Sequence, residues 1–577
     1  MKTFNELKKN IKKDYNSFDN EEIAIISNSA SQFLSMGLRG LAYEYKIDLN
    51  IYEADYNQVE YQIFNNCSDL YKYSPKYVLV YLSTNKLLDK FYSSPLQERS
   101  MFADKYLCYI EELVSAVKNN LSNSILLLCN FPEIDDTIYG HQACKIEDSF
   151  LFQCRKLNYF LSEKSIHLHN LFIIDLIQIQ NRFGIDRCFN NNIYITTDIV
   201  LSTEILPYVS EIVLNTISVR KGFVKKCVII DLDNTIWGGV IGDDGFENIE
   251  VGSLGIGKAF SEFQKWLKEL KQRGIILAVC SKNNEDVAKE AFTRNPEMVL
   301  SLEDISIFVA NWDNKADNIK YIQSVLNIGF NSMIFLDDNP VERQIVKENI
   351  PEITVPELPE DPAYYLQYLY GLNLFDNTGI TIEDANRTVL YQKEAEISNL
   401  KKSYVNESDF LQSLDMASVV EPFSMRNMAR VVQLSQRSNQ FNLRTIRYTD
   451  NDVLDRIGDS KYLTYSFTLT DKFGDNGLIC VVVLNKITDN QVFIENWFMS
   501  CRVLKRGMEH FVLNTIISDL KNSGVVELTG EYIQTAKNAL VENHYSNLGF
   551  AGKNGYWNIN VRNYINKETY IKKATNE

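Results

Sequence analysis

The chain has 577 residues, of which 45% are hydrophobic and 23% charged, and its formal charge is −16. That length exceeds one hydrophobic core and predicts about two to four domains of ordinary globular composition. The acidic balance excludes a nucleic-acid polyanion as the main partner, since such binding needs a basic stripe. No apolar run approaches the ~18 residues of a membrane-spanning helix. The basic opening MKTFNELKKNIKKDYNSF lacks the apolar stretch of a secretory signal. A cytoplasmic protein with no membrane partner is expected.

From Glu22 to about Arg220, short apolar runs alternate with longer helical stretches: Ile23 to Ser27, Leu49 to Ala54, Tyr77 to Ser83, Ser124 to Asn130 and Leu171 to Leu176. This spacing predicts a parallel sheet with helices on its faces. A second unit starts at VRKGFVKKCVIIDLDNT and repeats the alternation through ILAVCSKN, SIFVANWDNK and MIFLDDNP. Pro351, Pro356, Pro359 and Pro362 close it. A Lys- and Glu-rich helical stretch from Thr381 to about Leu414 reads as a connector. The last block opens near Val419, with two strands, KYLTYSFTLTDKFG and NGLICVVVLNKI, antiparallel about a turn at Gly474 to Gly477. The strand VFIENWFMSC, a helix from Gly507 to Leu520 and the strand VVELTGEYI follow. The fold class is therefore α/β in three domains: a parallel-sheet domain over 1–222, a Rossmann-like domain over 223–380, and a connector helix with a mixed α/β domain over 381–577.

None of the ten cysteines forms a CxxC pair, so neither a zinc knuckle nor a disulfide framework is expected. Most, such as Cys129 and Cys227, lie in apolar strands and bury as small hydrophobes.

The chemistry concentrates at strand ends. In CVIIDLDNT, alternation places Asp231 and Asp233 on one side of a strand tip with Leu232 turned away. Ligands bind at that end of an open parallel sheet. Two acids there call for a hard divalent cation with oxygen ligands, such as Mg2+. Ser281 ends the next strand, Lys315 follows another, and Asp337 and Asp338 follow a fourth. A nucleophile, a hydroxyl, a cation and metal carboxylates thus occur in order at successive strand tips.

This set resembles the four motifs of the haloacid dehalogenase superfamily. The resemblance implies that Asp231 attacks phosphorus and that Asp233 serves as general acid and then base. Thr235 and Ser281 would orient oxygens, while Lys315 would neutralise developing charge. It also implies Mg2+ held by Asp231, Asp337, Asp338 and the backbone carbonyl of Asp233. The stretch from Asp233 to the next strand is too short for a large independent cap. WGGVIGDDG offers a glycine-rich flap at most, so a bulky substrate such as a tethered prosthetic arm is admitted.

The strings DLDNTIWGGVIGDDG, AVCSKNNEDVAKEAF, NWDNKADNI and FLDDNPVER look like the FkbH-like family. The resemblance extends through QLSQRSNQFNLRTIRY, NWFMSCRVLKRGME and TAKNALVENHYSNLGF into a domain similar to the Gcn5-related acyltransferase fold. It implies removal of phosphate from 1,3-bisphosphoglycerate and loading of D-glyceryl as a thioester on an acyl carrier protein. Cys501 is then the candidate nucleophile, because Arg502, Lys505, Arg506 and the helix start would favour its thiolate. Cys280, beside Ser281, is expected to face away. Arg502, Arg506 and Gly507 would bind the phosphate of a phosphopantetheine arm, and Asn234 and Asn283 are further substrate-binding candidates. Asn439, Asn442 and Arg444 would line an acyl pocket, and His544 is expected to pack rather than act as a base.

The first block resembles an SGNH-hydrolase sheet, with Ser29 or Ser31 as the serine and Asn85 as the asparagine. Such enzymes also need a late Asp and His three residues apart. The stretch NNIYITTDIVLSTEILPYVSEIV has no histidine, and His141, His167 and His169 lie elsewhere, so a non-hydrolytic docking role is expected. Two alternatives to glyceryl loading are a phosphatase with binding-only flanking domains and a CoA-dependent acyltransferase.

Overall fold

The structure, a computed structural model, describes residues 2–575 except His169, 378–386, Lys402, Ala536 and Asn554, with the backbone only at 387–389, 395, 398, 399 and 553. The opening of the expected connector, 381–386, and His169 therefore lie outside the described residues. No described helix is long and apolar enough to cross a membrane. The chain folds as two compact units, 1–218 and 219–577.

In the first unit the strands β1 (Asp19–Ser27), β2 (Ile47–Glu53), β3 (Tyr77–Tyr81), β4 (Ile125–Cys129) and β5 (Leu171–Ile174) form a parallel sheet in the order β2-β1-β3-β4-β5. Central strands such as YVLVY are buried on both faces, as helices on either side of a parallel sheet require. Ile23 and Ile25 enter one core and Ala24 and Ile26 the other. Ser29 is buried and its amide donates to Ser27 Oγ, while Ser31 donates to Glu53. Asn85 has a buried side-chain oxygen with no partner among the described residues. The backbone carbonyl of Asp198 accepts from Ala30, and three residues further on stands Leu201, packed in the apolar core.

The second unit holds two sheets. Its parallel sheet comprises β6 (Cys227–Ile230), β7 (Ile276–Ser281), β8 (Ile307–Ala310) and β9 (Met333–Leu336), in the order β8-β7-β6-β9. Alternation is strict. Val228, Ile230 and Leu232 face one core, and Cys227 and Ile229 face the other. Lys226 precedes β6 and Asp231 follows it, so the two stand ~16 Å apart at ~3.3 Å per residue of extended chain.

The other sheet is mixed: β10 (Ala417–Glu421), β11 (Tyr462–Asp471), β12 (Gly474–Thr488), β13 (Gln491–Met499), β14 (Glu527–Glu531), β15 (Ala551–Lys553), β16 (Tyr556–Asn560) and β17 (Lys572–Ala574), ordered β15-β16-β14-β13-β12-β11-β10-β17. The predicted pair β11 and β12 is antiparallel. The short strands β10, β15, β16 and β17 were not expected.

The described part of the connector is not one helix. It is two, Arg387–Lys401 and Glu407–Ser413. Nor does it stand apart from the sheets. Tyr391 is buried in the core of the parallel sheet and Ile397 in that of the mixed sheet. Two faces of one helix thus tie both sheets into a single unit.

Parallel pairing of β13 with β14 runs only from Gln491 opposite Glu527 to Ile494 opposite Gly530. Beyond it the chain supplies its own filler. The Leu443 amide donates to the Trp497 carbonyl at 3.0 Å, the Met499 amide to the Phe441 carbonyl at 3.0 Å, and the Ile533 amide to the Leu443 carbonyl at 2.9 Å. Residues 441–443 therefore occupy the gap beside the outer half of β13.

Candidate active site

The tips of β6, β7 and β9 and the start of the helix Lys315–Leu326 converge as the motif spacing requires. Lys315, held in the first turn of that helix, is 3% exposed and places Nζ 2.9 Å from Asp231 Oδ2 and 2.6 Å from Asp337 Oδ2. Burial opposes the charge on Lys315, but the two carboxylates outweigh it and raise its pKa. Burial and then the neighbouring charge of Asp231 push Asp337 up to about 7, and the same causes raise Asp338.

Asp231 Oδ1 is buried and has no hydrogen-bond partner among the described residues. Carboxylate oxygens of Asp231, Asp337 and Asp338 lie within 4.8 Å of one another. An all-oxygen set of three clustered carboxylates fits a hard divalent cation such as Mg2+.

Asp233, two residues on from Asp231, has both carboxylate oxygens hydrogen-bonded, Oδ2 by one donor alone. Oδ1 accepts from the Trp237 indole at 2.9 Å and the Ile241 amide at 3.1 Å, and Oδ2 accepts from Asn283 at 2.9 Å. This leaves its backbone carbonyl, not its side chain, for a metal. Leu232 turns into the core, as alternation predicted. Thr235 Oγ1 donates to Asp338 Oδ1 and accepts from the Asp338 amide, which aligns that carboxylate. Asn283 Nδ2 also donates to the buried Ser281 Oγ at 3.1 Å. Cys280 points into the opposite core, where burial pushes its thiol up to about 12.

Two expectations need amending here. Asn234, expected on the substrate, adopts a left-handed φ of 53° and spends its side-chain oxygen on the Gly239 amide at 3.0 Å, so it shapes the loop. Asn283 holds the Asp233 and Ser281 side chains. Sequence reasoning missed Trp237, which was read as part of a flap yet is fully buried against Phe292. It also missed Arg343, whose Nη1 donates to the carbonyls of Asp337 at 2.7 Å and Asp338 at 2.6 Å. The only signal was the short run NPVER after the paired aspartates.

In the mixed sheet, Cys501 opens a short turn after β13, half-buried, with its carbonyl accepting from Asn327 at 2.7 Å. It lines a cleft of 310 Å³ between the two sheets, together with Arg502 and Asn439. Arg506 does not face that cleft. Its guanidinium is buried between Asp471, at 2.7 Å, and Glu394, so two carboxylates already consume the donors expected for a phosphate. Gly507 takes a φ of 76° and caps the helix Met508–Asn522, a conformation that suits glycine.

Arg444 pairs with Glu531 at 2.8 Å, and the buried Asn442 accepts from the Thr445 amide. Neither lines the cleft. His544 packs edge-on to Phe441 and Trp497, and burial lowers its pKa to about 3, so it is a neutral packed residue as expected.

The model of a family described as FkbH, N-terminal domain, matches residues 22–218. A crystal structure of the N-terminal part of a Bacteroides fragilis protein, BF1531, containing a phosphatase domain complexed with Mg, is 48% identical, covers 66% of this chain and 100% of its own, and has a TM-score of 0.63. The ribosomal-protein-S18-alanine N-acetyltransferase of Escherichia coli is 16% identical, with 25% of this chain and 94% of its own covered, at a TM-score of 0.20. The spermidine N-acetyltransferase of Vibrio cholerae, in complex with CoA and spermine, is 12% identical over 26% of this chain and 96% of its own, at a TM-score of 0.21. Among curated proteins none matches.

Proposed function

Because this chain belongs to the FkbH-like family and carries a phosphatase domain, we propose that it couples phosphate removal to acyl transfer. Its substrate is 1,3-bisphosphoglycerate, and it loads D-glyceryl as a thioester on the phosphopantetheine arm of an acyl carrier protein in the cytoplasm. The observation that carries this reading is Asp231, fixed by Lys315 through one carboxylate oxygen and left with the other free of any described partner.

That free oxygen attacks phosphorus in line, and the P–O bond to the sugar-acid carbon skeleton breaks. Asp233, locked by Trp237, Ile241 and Asn283, gives its proton to the leaving oxygen. It then takes one from the water that hydrolyses the aspartyl phosphate. Lys315 stays within reach of the nucleophile and offsets the charge gathering on the phosphoryl oxygens. Mg2+, held by Asp231, Asp337, Asp338 and the Asp233 carbonyl, would supply charge neutralisation at the same oxygens.

For acyl transfer the Cys501 sulfur attacks the carbonyl of the acyl phosphate, and the thiol proton leaves with the phosphate. A C–S bond forms, the C–O bond to phosphate breaks, and inorganic phosphate leaves. The carrier thiol then displaces Cys501 by thioester exchange, with its proton passing to the cysteine sulfur.

Incubation with 1,3-bisphosphoglycerate, Mg2+ and a phosphopantetheinylated carrier, read by intact mass, tests the whole sequence. A glyceryl mass on the carrier, absent with Cys501→Ala, supports it. No added mass on enzyme or carrier overturns the acyl half. Undiminished phosphate release by Asp231→Asn overturns the phosphatase half.

A further inference from the structure

The cleft that Cys501 lines lies at the end of the parallel sheet opposite the carboxylates. Its wall includes Lys226, just before β6, and residues 328–332, just before β9, whereas Asp231 and Asp337 follow those same strands. Five cationic side chains line it, namely Lys226, Arg430, Arg437, Arg502 and Lys537, against one carboxylate, Glu352. This concentration occurs in a chain whose formal charge is −16.

Lys537 senses it most strongly. Its ammonium sits 3.2 Å from the centre of the Phe223 ring, and the charges acting on it are those of Lys226, Arg447, Lys225 and Lys221. Burial first, and then these like charges, lower its pKa to about 7, while burial lowers Lys225 to about 8. Arg447 adds a buried guanidinium whose bonds go to the carbonyls of Ser435, Ser438 and Lys221 and to Asn439, none of which is charged. Clustered cations in a low-dielectric recess repel one another, and an anion with several acceptor oxygens relieves that repulsion. The volume of 310 Å³ is at the small end for ligand pockets.

We infer that this cleft is a second phosphate site, separate from the carboxylate site, that seats the phosphate ester of an incoming acyl donor or phosphopantetheine arm beside Cys501. The inference rests on the proposed function for the use made of Cys501, and on the lining residues for the anion. The two phosphates of a doubly phosphorylated donor are then handled in turn, at different ends of one sheet.

Protection of Cys501 from iodoacetamide tests it. The full chain is alkylated in EDTA, so that the carboxylate site is without metal, and modification is mapped by peptide mass. The exposed Cys67, Cys108 and Cys144 serve as internal controls. The probes are 3-phosphoglycerate against glycerate, and pantetheine 4′-phosphate against pantetheine.

The expected result is that a phosphorylated probe slows Cys501 alkylation at least fivefold and its unphosphorylated counterpart does not, with the controls unaffected. Whichever phosphorylated probe protects identifies the source. Lys537→Ala should raise the concentration needed at least tenfold, and Lys537→Arg should restore it. If Lys537→Ala fails to fold, protection of the wild type by inorganic phosphate should weaken steeply with ionic strength.

Equal protection by phosphorylated and unphosphorylated probes, no protection, no effect of Lys537→Ala, or salt-independent protection overturns the inference. A glyceryl adduct on Cys501 without phosphate-specific protection sinks this inference alone. Phosphate-specific protection without any adduct sinks the acyl-transfer reading alone.

Discussion

Replacing Lys315 with methionine keeps the length of a buried side chain and removes the ammonium that bridges Asp231 and Asp337, which lie 2.9 and 2.6 Å from it. Breaking a buried ion cluster by removing one partner costs ~3–5 kcal/mol, because the remaining charges are left unsolvated. At ~1.3 °C per kcal/mol for a unit of this length, thermal unfolding of the metal-free second unit should fall by ~4–7 °C at pH 8. The deficit should shrink near pH 5.5, where Asp337, already pushed up to about 7, takes a proton. Mg2+ at a hundred times the wild type's dissociation constant should return ~2.7 kcal/mol to the wild type and more to the variant, which binds it more tightly because it restores the missing positive charge. Differential scanning calorimetry in EDTA and in Mg2+ reads all three effects. A Lys315→Met chain that melts with the wild type in EDTA at pH 8 would refute the idea that this ammonium holds the two carboxylates together.

The raised Asp337 carboxyl has its own signature. Its folded value exceeds its unfolded one, so between about pH 4 and 7 the folded chain binds more protons, and metal-free stability declines as pH rises through that window. Mg2+ must displace the same proton, so its affinity should climb to pH ~7 and then level, a slope that Asp337→Asn abolishes in calorimetric titrations. Trp237→Phe deletes the 2.9 Å indole bond to Asp233 while two other donors remain. It should lower kcat about tenfold on a small phosphomonoester with KM little changed. Arg506→Met should cost about 3–5 kcal/mol, by stranding the buried Asp471 and Glu394, and this is read as a lower melting temperature. A variant as stable as the wild type would return Arg506 to the role of a phosphate ligand.

Much of the parallel sheet and its site is legible in local pattern, because each feature is written within a few residues. CVII followed by DLD announces a buried strand, its end and two carboxylates on one side, and Cys280 and Ser281 separate by the same alternation. What escapes is nonlocal. Glu394 meets Arg506 from 112 positions upstream, so a basic run that reads as a phosphate grip is spent on an internal ion cluster. Tyr391 and Ile397 sit on a polar-looking helix, but each enters a different sheet's core, which no single-helix pattern discloses. Edge strands as short as Ala551–Lys553 and Lys572–Ala574 carry too few residues to show a period of two. The indole of Trp237 looked like flap chemistry because Gly238 and Gly239 follow it. Its burial depends on Phe292, 55 positions away.

Strand β6 has the amide of Cys227 next to one cluster of charges and the carbonyl of Ile230 next to another of opposite sign. Its length acts as a fixed ruler. A group bonded at one end is never within bonding reach of the other, since ~16 Å of packed backbone lies between. The interval between the two chemical events is therefore a transit time, set by how long a product stays bound and how far its tether swings. Shortening a linker on the carrier or thickening the solvent should slow the overall conversion without altering either half-reaction. Chemistry at the two stations is then tuned by separate mutations, and the throughput of the whole depends on the traffic between them.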